Sequence, residues 1–196
     1  MLRAVFFDFG GVILSSPFEA FNHYEAALGL PANFIRSVNS VNPDDNAWAK
    51  LERSDISPVE FDDVFARESE ALGHRVPGAD VLSLLHGEIR PDMVNALDRI
   101  NEAGYVLACL TNNVLSDQPV AVDAADRLRQ DELRAVLARF SAVIESSKVG
   151  VRKPETRFYE IACETVNVQP DECVFLDDLG INLKPAAAMG MQTIKV

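Results

Sequence analysis

The sequence predicts an α/β fold: a parallel sheet of five strands, with a helical region inserted after the first strand. Five short segments are continuously apolar, which is typical of strands covered on both faces. Amphipathic helical patterns precede the second, third and fourth of these segments, and such alternation indicates a mostly parallel sheet. A long stretch without a convincing strand separates the first segment from the second. The predicted strands are residues 4–7, 106–110, 142–144, 173–176 and 193–196.

The predicted helices of the sheet domain each carry an apolar stripe. In residues 92–102 the stripe contains Met93, Leu97 and Ile100, and Pro91 lies at the helix start, where proline is favoured. Residues 127–140 and 155–165 give two more helices. Their stripes consist of Leu128, Leu133, Val136, Leu137 and Phe140 in the first and of Phe158, Tyr159 and Ala162 in the second. We expect these stripes to cover the sheet.

The inserted region is predicted to be entirely helical. Its helical patterns span residues 18–29, 34–38, 47–52 and 58–73. Pro58 lies at a helix start, with Ser57 before it as a suitable N-cap. The prediction is therefore a discontinuous core domain, residues 1–15 and 89–196, with an α-helical cap formed by residues 16–88.

Composition and charge exclude several classes of protein. Of the 196 residues, 48% are apolar and 24% are charged, which is typical of a globular protein and not of a disordered one. The net charge of −12 argues against a nucleic acid or an anionic membrane as partner.

Other features of the chain favour a cytoplasmic location. The longest apolar run, residues 103–110, is too short to span a membrane, and residues 1–3 are too short for a signal peptide. Three widely spaced cysteines, Cys109, Cys163 and Cys173, are expected to be buried thiols in a reducing compartment.

Polar residues follow the predicted strands at the edge where sites form in parallel sheets. Asp8 follows the first strand, Thr111 the second, and Asp177 and Asp178 the fourth, while Lys153 precedes a helix. Alone, an aspartate before two glycines is usually a turn former, and a lysine before proline is usually a solvated surface residue. Together, three converging carboxylates need a cation and a lysine to balance them. This combination suits Mg²⁺ and phosphoryl chemistry.

The chain resembles the haloacid dehalogenase superfamily, whose core is Rossmann-like, in four sequence motifs. These motifs are residues 6–12 (FFDFGGV), 110–112 (LTN), 152–154 (RKP) and 175–178 (FLDD). The longer stretches 175–186 (FLDDLGINLKPA) and 51–57 (LERSDIS) are similar to those of the phosphatase-type domains found in soluble epoxide hydrolase and in acyl-CoA dehydrogenase family member 10. The spacing between the first two motifs suits a helical cap. The resemblance also implies a sheet with the first strand at its centre.

The resemblance implies a hydrolase with an aspartate nucleophile. Asp8 would attack phosphorus, form an aspartyl-phosphate and also bind Mg²⁺. The carbonyl of Gly10 and the carboxylate of Asp178 would complete the protein ligands, and Asp177 would act beside the metal through water.

The remaining motif residues are implied to hold the substrate. Thr111 and the backbone of Asn112 would bind phosphate oxygens, and Lys153 would neutralise both the nucleophile and the phosphate. Asn182, counted with the phosphate-binding residues, would brace the fourth motif. The expected partner is a small phosphorylated substrate, bound by a monomer or a homodimer, with His23, Trp48, Arg53, His74 and Arg75 as candidate cap residues facing the cleft.

Gly10 departs from the family pattern and leaves alternatives open. Phosphatases of the family usually carry a second aspartate at this position as general acid and base. Its loss is compatible with a slow phosphatase, with a metal-independent haloacid dehalogenase, or with an inactive protein that binds a ligand or a partner. The adjacent Asp177 and Asp178 argue against a dehalogenase, because they would repel a carboxylate substrate. The physiological substrate and the length of the complete protein stay open.

Overall fold

The computed structural model describes residues 1–85, 87–113 and 124–196, with side chains from residue 127 onward in the last range. Five parallel strands form one sheet in the order β3-β2-β1-β4-β5. The strands are β1 (Ala4–Phe7), β2 (Val106–Thr111), β3 (Ala142–Glu145), β4 (Cys173–Asp177) and β5 (Gln192–Lys195). The five predicted strands are therefore confirmed within one residue at each end, and β1 is central as the family resemblance implies.

Five helices follow β1 before the chain returns to the sheet. They are α1 (Phe18–Ala27), α2 (Phe34–Ser40), α3 (Ala47–Glu52), α4 (Pro58–Ala71) and α5 (Gly78–Ser83). Ser57 caps α4 as expected, since its side chain accepts a hydrogen bond from the N–H of Glu60 and the Glu60 carboxylate returns to the Ser57 N–H. Helix α5 was not predicted, because Pro77-Gly78 is a typical loop signal, but the extended backbone of Pro77 serves here as the helix N-cap.

The helical insertion has its own apolar cluster. Buried members include Phe21, Ile35, Leu51, Phe61 and Phe65, and all members of the cluster come from residues 18–85. The two connections to the sheet run side by side, where Leu14 and Ile89 form an antiparallel bridge. The division into a core and a cap stays a prediction, which this separate cluster supports.

Helices cover both faces of the sheet. The remaining helices are α6 (Pro91–Glu102), α7 (Ala124–Leu137), α8 (Ser146–Val149), α9 (Thr156–Val166) and α10 (Gly180–Ala188). Alternate residues of β1 serve the two faces: Phe6 packs with Phe158 and Tyr159 of α9, and Phe7 packs with Leu97 of α6. Neither α8 nor α10 was predicted, since α8 is a single turn and α10 contains Pro185, which usually breaks a helix.

Two expectations about burial are wrong. Leu128 was predicted to belong to the covered stripe of α7, but it is 62% exposed because it lies nearer the helix start than the buried Val136. The outer strands are not covered on both faces, as Val143 in β3 and Ile194 in β5 are partly exposed at the sheet edges. The three cysteines are buried and free, as expected. None of the helices in the described part of the chain is long and apolar enough to cross a membrane.

Candidate active site

The topology brings three predicted site residues to one edge of the sheet. Asp8 directly follows β1, Thr111 ends β2 and Asp177 ends β4. Since β2 and β4 flank β1 in parallel, the carboxyl ends of all three strands meet there. Asp8 and Asp177 are buried, and Thr111 is half-buried.

Lys153 joins two of the carboxylates. Its Nζ lies 2.8 Å from Asp8 Oδ1 and 2.8 Å from Asp177 Oδ2, and the residue is 1% exposed. The ring of Phe175 lies below the ammonium, with its centroid 5.6 Å from Nζ. A buried cation of this kind is tolerated because two carboxylates neutralise it. The sequence interpretation of Lys153 as a surface lysine is therefore excluded.

Asp177 is saturated with hydrogen-bond donors. Besides Lys153, it accepts from the backbone N–H of Leu179 at 2.8 Å and from Asn182 Nδ2 at 3.1 Å to each oxygen. Asn182 is buried, and its carbonyl accepts from the hydroxyl of Tyr159 at 2.7 Å. The amide of Asn182 thus braces the fourth motif, and its contact with phosphate stays a prediction.

Asp178 is held differently from Asp177. It is half-buried, and among the described residues no other residue donates a hydrogen bond to its carboxylate. Its carboxylate fills the space beside Gly11, where an added Cβ would lie 2.3 Å from Asp178 Oδ2. Gly11 also has a φ of +79°, which favours glycine. Gly11 is therefore needed both for its backbone and for the close approach of Asp178.

The carboxylate cluster fits a hard divalent cation. Asp8, Asp177 and Asp178 each offer an oxygen, and these oxygens lie within 4.8 Å of one another. An all-oxygen donor set of this kind suits Mg²⁺. Because Asp177 already accepts from several donors, Asp8 and Asp178 are the carboxylates left to bind such an ion directly, while the role of the Gly10 carbonyl stays a prediction.

The electrostatics of the cluster call for further positive charge. Burial raises the pKa of Asp8 to about 7; Lys153 opposes this shift and Asp177 adds to it. Burial, together with Asp177, also raises the pKa of Asp178. Burial alone lowers the pKa of Lys153, but the charges of Asp8 and Asp177 outweigh burial and raise it. A cation bound beside Asp8 and Asp178 favours their ionised forms.

Asn112 links the second motif to the third. Its Oδ1 accepts from the backbone N–H of Lys153 at 2.9 Å, and its Nδ2 donates to the carbonyl of Lys153 at 2.9 Å. The side chain therefore fixes the loop that carries the lysine, and binding of phosphate by the backbone of Asn112 stays a prediction.

The cap contributes a residue that the sequence argument did not select. Glu52, the last residue of α3, is 6% exposed and lies against Asn112 and Arg152 of the core. Burial raises the pKa of Glu52 to about 7, although Arg152 opposes this shift. The sequence offered one signal for Glu52: this carboxylate directly follows the apolar Leu51 in a short helical segment with few other charges.

The predicted cap candidates lie in different places. Trp48 contacts Glu52, and Arg53 lies 3.5 Å from Glu155 of the core as well as 3.0 Å from Asp55. By contrast, the other candidates make contacts inside the cap or lie at its surface. His74 packs on Phe34, Arg75 pairs with Glu70, and His23 is exposed.

The structure thus has a five-stranded parallel sheet with a buried aspartate, a lysine and an acidic pair at its carboxyl edge, as the four sequence motifs predict. The chain belongs to the haloacid dehalogenase-like hydrolases, since the sequence model of that family matches residues 2–190. The predicted family is therefore confirmed.

Two relatives are mouse proteins much longer than this chain. Acyl-CoA dehydrogenase family member 10 is 33% identical over 99% of the chain, which spans 18% of that protein. Bifunctional epoxide hydrolase 2 is 32% identical over 100% of the chain, which spans 36% of that protein. The chain thus covers well under half of each, and the resemblance to their phosphatase-type domains is confirmed.

Other similar proteins have sizes near that of this chain. The sesquiterpene phosphatase astK of Aspergillus oryzae is 25% identical over 96% of the chain and 87% of its own length. A haloacid dehalogenase-family enzyme of Bacteroides thetaiotaomicron, solved with magnesium and inorganic phosphate, matches with a TM-score of 0.64, 20% identity and coverage of 100% and 94%. The L-2-haloacid dehalogenase of Xanthobacter autotrophicus, solved with covalently bound chloropropionic acid, matches with a TM-score of 0.65, 18% identity and coverage of 100% and 78%. These structures share the fold.

Proposed function

We propose that this protein is a Mg²⁺-dependent phosphatase that acts on small phosphorylated metabolites through an aspartyl-phosphate at Asp8. The observation that carries the proposal is the cluster in which Lys153 Nζ lies 2.8 Å from Asp8, with Asp178 close by and, within the described part of the chain, without a donor from another residue. Such a cluster neutralises and positions a phosphoryl group. The phosphatase among the relatives and the magnesium and phosphate in the Bacteroides enzyme support the same function.

The contacts of Asp8 assign roles to its two oxygens. Oδ1 accepts from the N–H of Phe9 at 2.6 Å and from Lys153, which leaves Oδ2 to attack phosphorus. A bond then forms between Oδ2 and phosphorus while the bond to the leaving oxygen breaks. Water afterwards attacks phosphorus, releases inorganic phosphate and restores the Asp8 carboxylate. Lys153 holds Asp8 in place and balances its charge in both steps.

Other residues hold the phosphoryl oxygens. The Thr111 hydroxyl at the end of β2 and the backbone N–H of Asn112 donate to them, since both lie at the sheet edge beside Asp8. When bound by Asp8, Asp178 and the Gly10 carbonyl, Mg²⁺ supplies positive charge against the carboxylates and the phosphate. Asp177, held by Asn182, maintains the position of Lys153.

Gly10 limits the substrates that this site handles well. It carries no group to protonate a leaving oxygen, and general acid–base help of this kind typically contributes about 10²–10⁴-fold. Leaving groups that need little protonation are therefore favoured. We propose aryl, acyl and hemiacetal phosphates as the substrate class, in preference to alkyl phosphates.

A haloacid dehalogenase is the second candidate, because it also uses an aspartate nucleophile and needs no acid at the position of Gly10. The half-buried Asp178 argues against it, since a carboxylate substrate would meet a second, unneutralised carboxylate. An inactive protein that binds a phosphorylated ligand is the third candidate.

A substrate screen with and without metal tests the proposal. Aryl, acyl, sugar, nucleotide and alkyl phosphates and 2-haloacids are supplied to the wild-type protein and to Asp8→Asn, in Mg²⁺ or in EDTA. We expect phosphate release only from the wild-type protein in Mg²⁺. The matched control is Asp63→Asn, an exposed carboxylate of α4, which retains full activity. Full activity in EDTA, halide release, or an active Asp8→Asn protein would each contradict the proposal.

A further inference from the structure

The Glu52 side chain makes three contacts: one with Trp48 in the cap, and two with Asn112 and Arg152 of the core. Its Oε1 accepts from the indole N–H of Trp48 at 3.0 Å. Its Oε2 accepts from Asn112 Nδ2 at 3.3 Å and lies 2.7 Å from Nε of Arg152. Among the described residues, it is the only cap carboxylate in contact with a predicted site residue. A buried carboxylate with these partners is held in one position.

The contact with Asn112 agrees with the amide orientation that the two bonds to the Lys153 backbone require. The Nδ2 group has two hydrogens: one is donated to the carbonyl of Lys153 and the other to Glu52. A carboxylate only accepts hydrogen bonds, so it requires Nδ2, and not Oδ1, to face it. With Nδ2 fixed, Oδ1 faces the backbone N–H of Lys153. Glu52 therefore reinforces the amide orientation that satisfies both bonds to the lysine and anchors the amide to the cap.

Arg152 provides a second connection at the same place. It precedes Lys153 in the chain, pairs with Glu52, and donates from Nη1 to the carbonyl of Pro43 in the cap at 3.0 Å. The cap thus contacts the lysine loop at two places, through Glu52 and through the carbonyl of Pro43. The lysine in turn bonds to Asp8.

We infer that Glu52 is a positioning residue, through which the cap holds Asn112 and the Lys153 loop so that the lysine is directed at Asp8. This inference rests on the proposed phosphatase function for its effect on turnover. Glu52 acts through Asn112 and Lys153, so it serves every substrate alike, whatever the leaving group.

Steady-state kinetics test the inference. Glu52→Ala is compared with wild type on one aryl, one acyl and one sugar phosphate. We expect kcat to fall about 10- to 100-fold, because misplacing a catalytic group by about 1 Å has effects of this size. The loss should be the same factor for all three substrates, with KM changed less than about threefold. Glu52→Gln, which retains an acceptor oxygen, should recover most of the loss.

Two further variants provide the controls. Glu70→Ala, which removes a cap carboxylate paired with Arg75 at the surface, should leave kcat and KM unchanged. The double variant Glu52→Ala with Asn112→Ala should be no slower than Asn112→Ala alone, since the two residues act in series. A loss confined to one leaving group would show that Glu52 contacts the substrate and would overturn the inference, as would additive losses.

The single tryptophan provides a readout that needs no turnover. Trp48 is the only tryptophan of the chain and donates to Glu52. Asn112→Ala should change the emission of Trp48 in the presence of Glu52 and leave it unchanged in a Glu52→Ala background. An Asn112→Ala change that is equal in both backgrounds would overturn the inference. Failure of the wild-type protein to release phosphate would instead overturn the proposed function, and the emission comparison would still decide whether Glu52 and Asn112 are coupled.

Discussion

At the carboxyl edge of the sheet, Lys153 is bonded to two buried aspartates, whereas the polar side chains of the cap mostly pair with one another near the surface. Arg75 pairs with Glu70, and Tyr24 bonds to Asp80. All four residues belong to the inserted helical region.

Glu25 and Glu52 are buried carboxylates of the described cap residues; Glu25 accepts from backbone N–H groups inside the cap, whereas Glu52 contacts Asn112 of the core. The buried lysine–aspartate cluster thus lies at the sheet edge, and the cap contacts its surroundings through pairs such as Glu52 and Asn112.

Removing the lysine should have the largest effect, because it leaves Asp8 and Asp177 buried without their shared cation. Breaking a buried pair in this way costs about 3–5 kcal/mol of stability. Loss of a preorganised charge typically lowers kcat about 10²–10³-fold. We expect both effects in Lys153→Met, measured by urea unfolding without metal and by phosphate release.

Lys184→Met is the matched control for that prediction. Lys184 is an exposed residue of α10, so its loss should change neither stability nor turnover appreciably. If Lys153→Met were as stable as Lys184→Met, the carboxylates would be protonated or hydrated in solution. The expected difference between the buried charges of the sheet edge and the surface pairs of the cap would then be absent.

The sequence predicts the sheet edge better than the cap for a physical reason. Asp8, Thr111 and Asp177 each end an apolar run, and parallel strands bring such ends together whatever lies between them. The partner of Glu52 is 60 residues away in the chain, and no periodicity reports that contact. Nor does the sequence show which of two adjacent glycines needs to be glycine, because that depends on where Asp178 lies.

The ionisation of Glu52 gives a measurable pH dependence of stability. Burial raises its pKa from the ordinary value of 4.5 to about 7 in the folded protein. Its contribution to stability is therefore complete below about pH 4.5 and is lost as the pH rises through about 7. A shift of this size, in which the opposing effect of Arg152 is already included, corresponds to roughly 3 kcal/mol.

Glu52→Gln is the reference for the pH measurement, because it cannot titrate at this position and leaves the aspartates of the core in place. The free energy of unfolding of the wild-type protein, relative to this variant, should fall between pH 5 and pH 8. A constant difference over that range would mean that Glu52 stays ionised throughout. The cap would then hold its buried charge as firmly as the sheet edge does.

Adding one methyl group at Gly11 tests how closely Asp178 is held. The Cβ of Gly11→Ala would lie 2.3 Å from Asp178 Oδ2, and the φ of +79° is unfavourable for alanine. The carboxylate must move, which should weaken Mg²⁺ binding about 10- to 100-fold, as for other residues that orient metal ligands. Titration calorimetry measures this, with Gly10→Ala as the control. Equal affinity in both variants would exclude Asp178 as a ligand.

The smallest effect expected here is a gain of activity at Gly10, where the family resemblance predicts a second aspartate. Without an acid at Gly10, the wild-type protein should cleave an aryl phosphate readily but hydrolyse the aspartyl-phosphate slowly, since the attacking water still needs a base. A burst of leaving group should therefore precede a slow steady state. Gly10→Asp should abolish the burst and raise turnover about tenfold, within the lower range of acid–base catalysis.

The structure leaves room for a side chain at that position. Gly10 is exposed, has no positive φ, and an added Cβ would meet no atom within 4 Å, in contrast to its neighbour Gly11. Gly10→Asn, of equal size but unable to exchange a proton at neutral pH, should retain the burst and the slow turnover. If the wild-type protein showed no burst and hydrolysed alkyl phosphates rapidly, another group would already perform both proton transfers. Since Asp8, Lys153 and Asp177 are bonded to one another, that group would be a different residue or a metal-bound water.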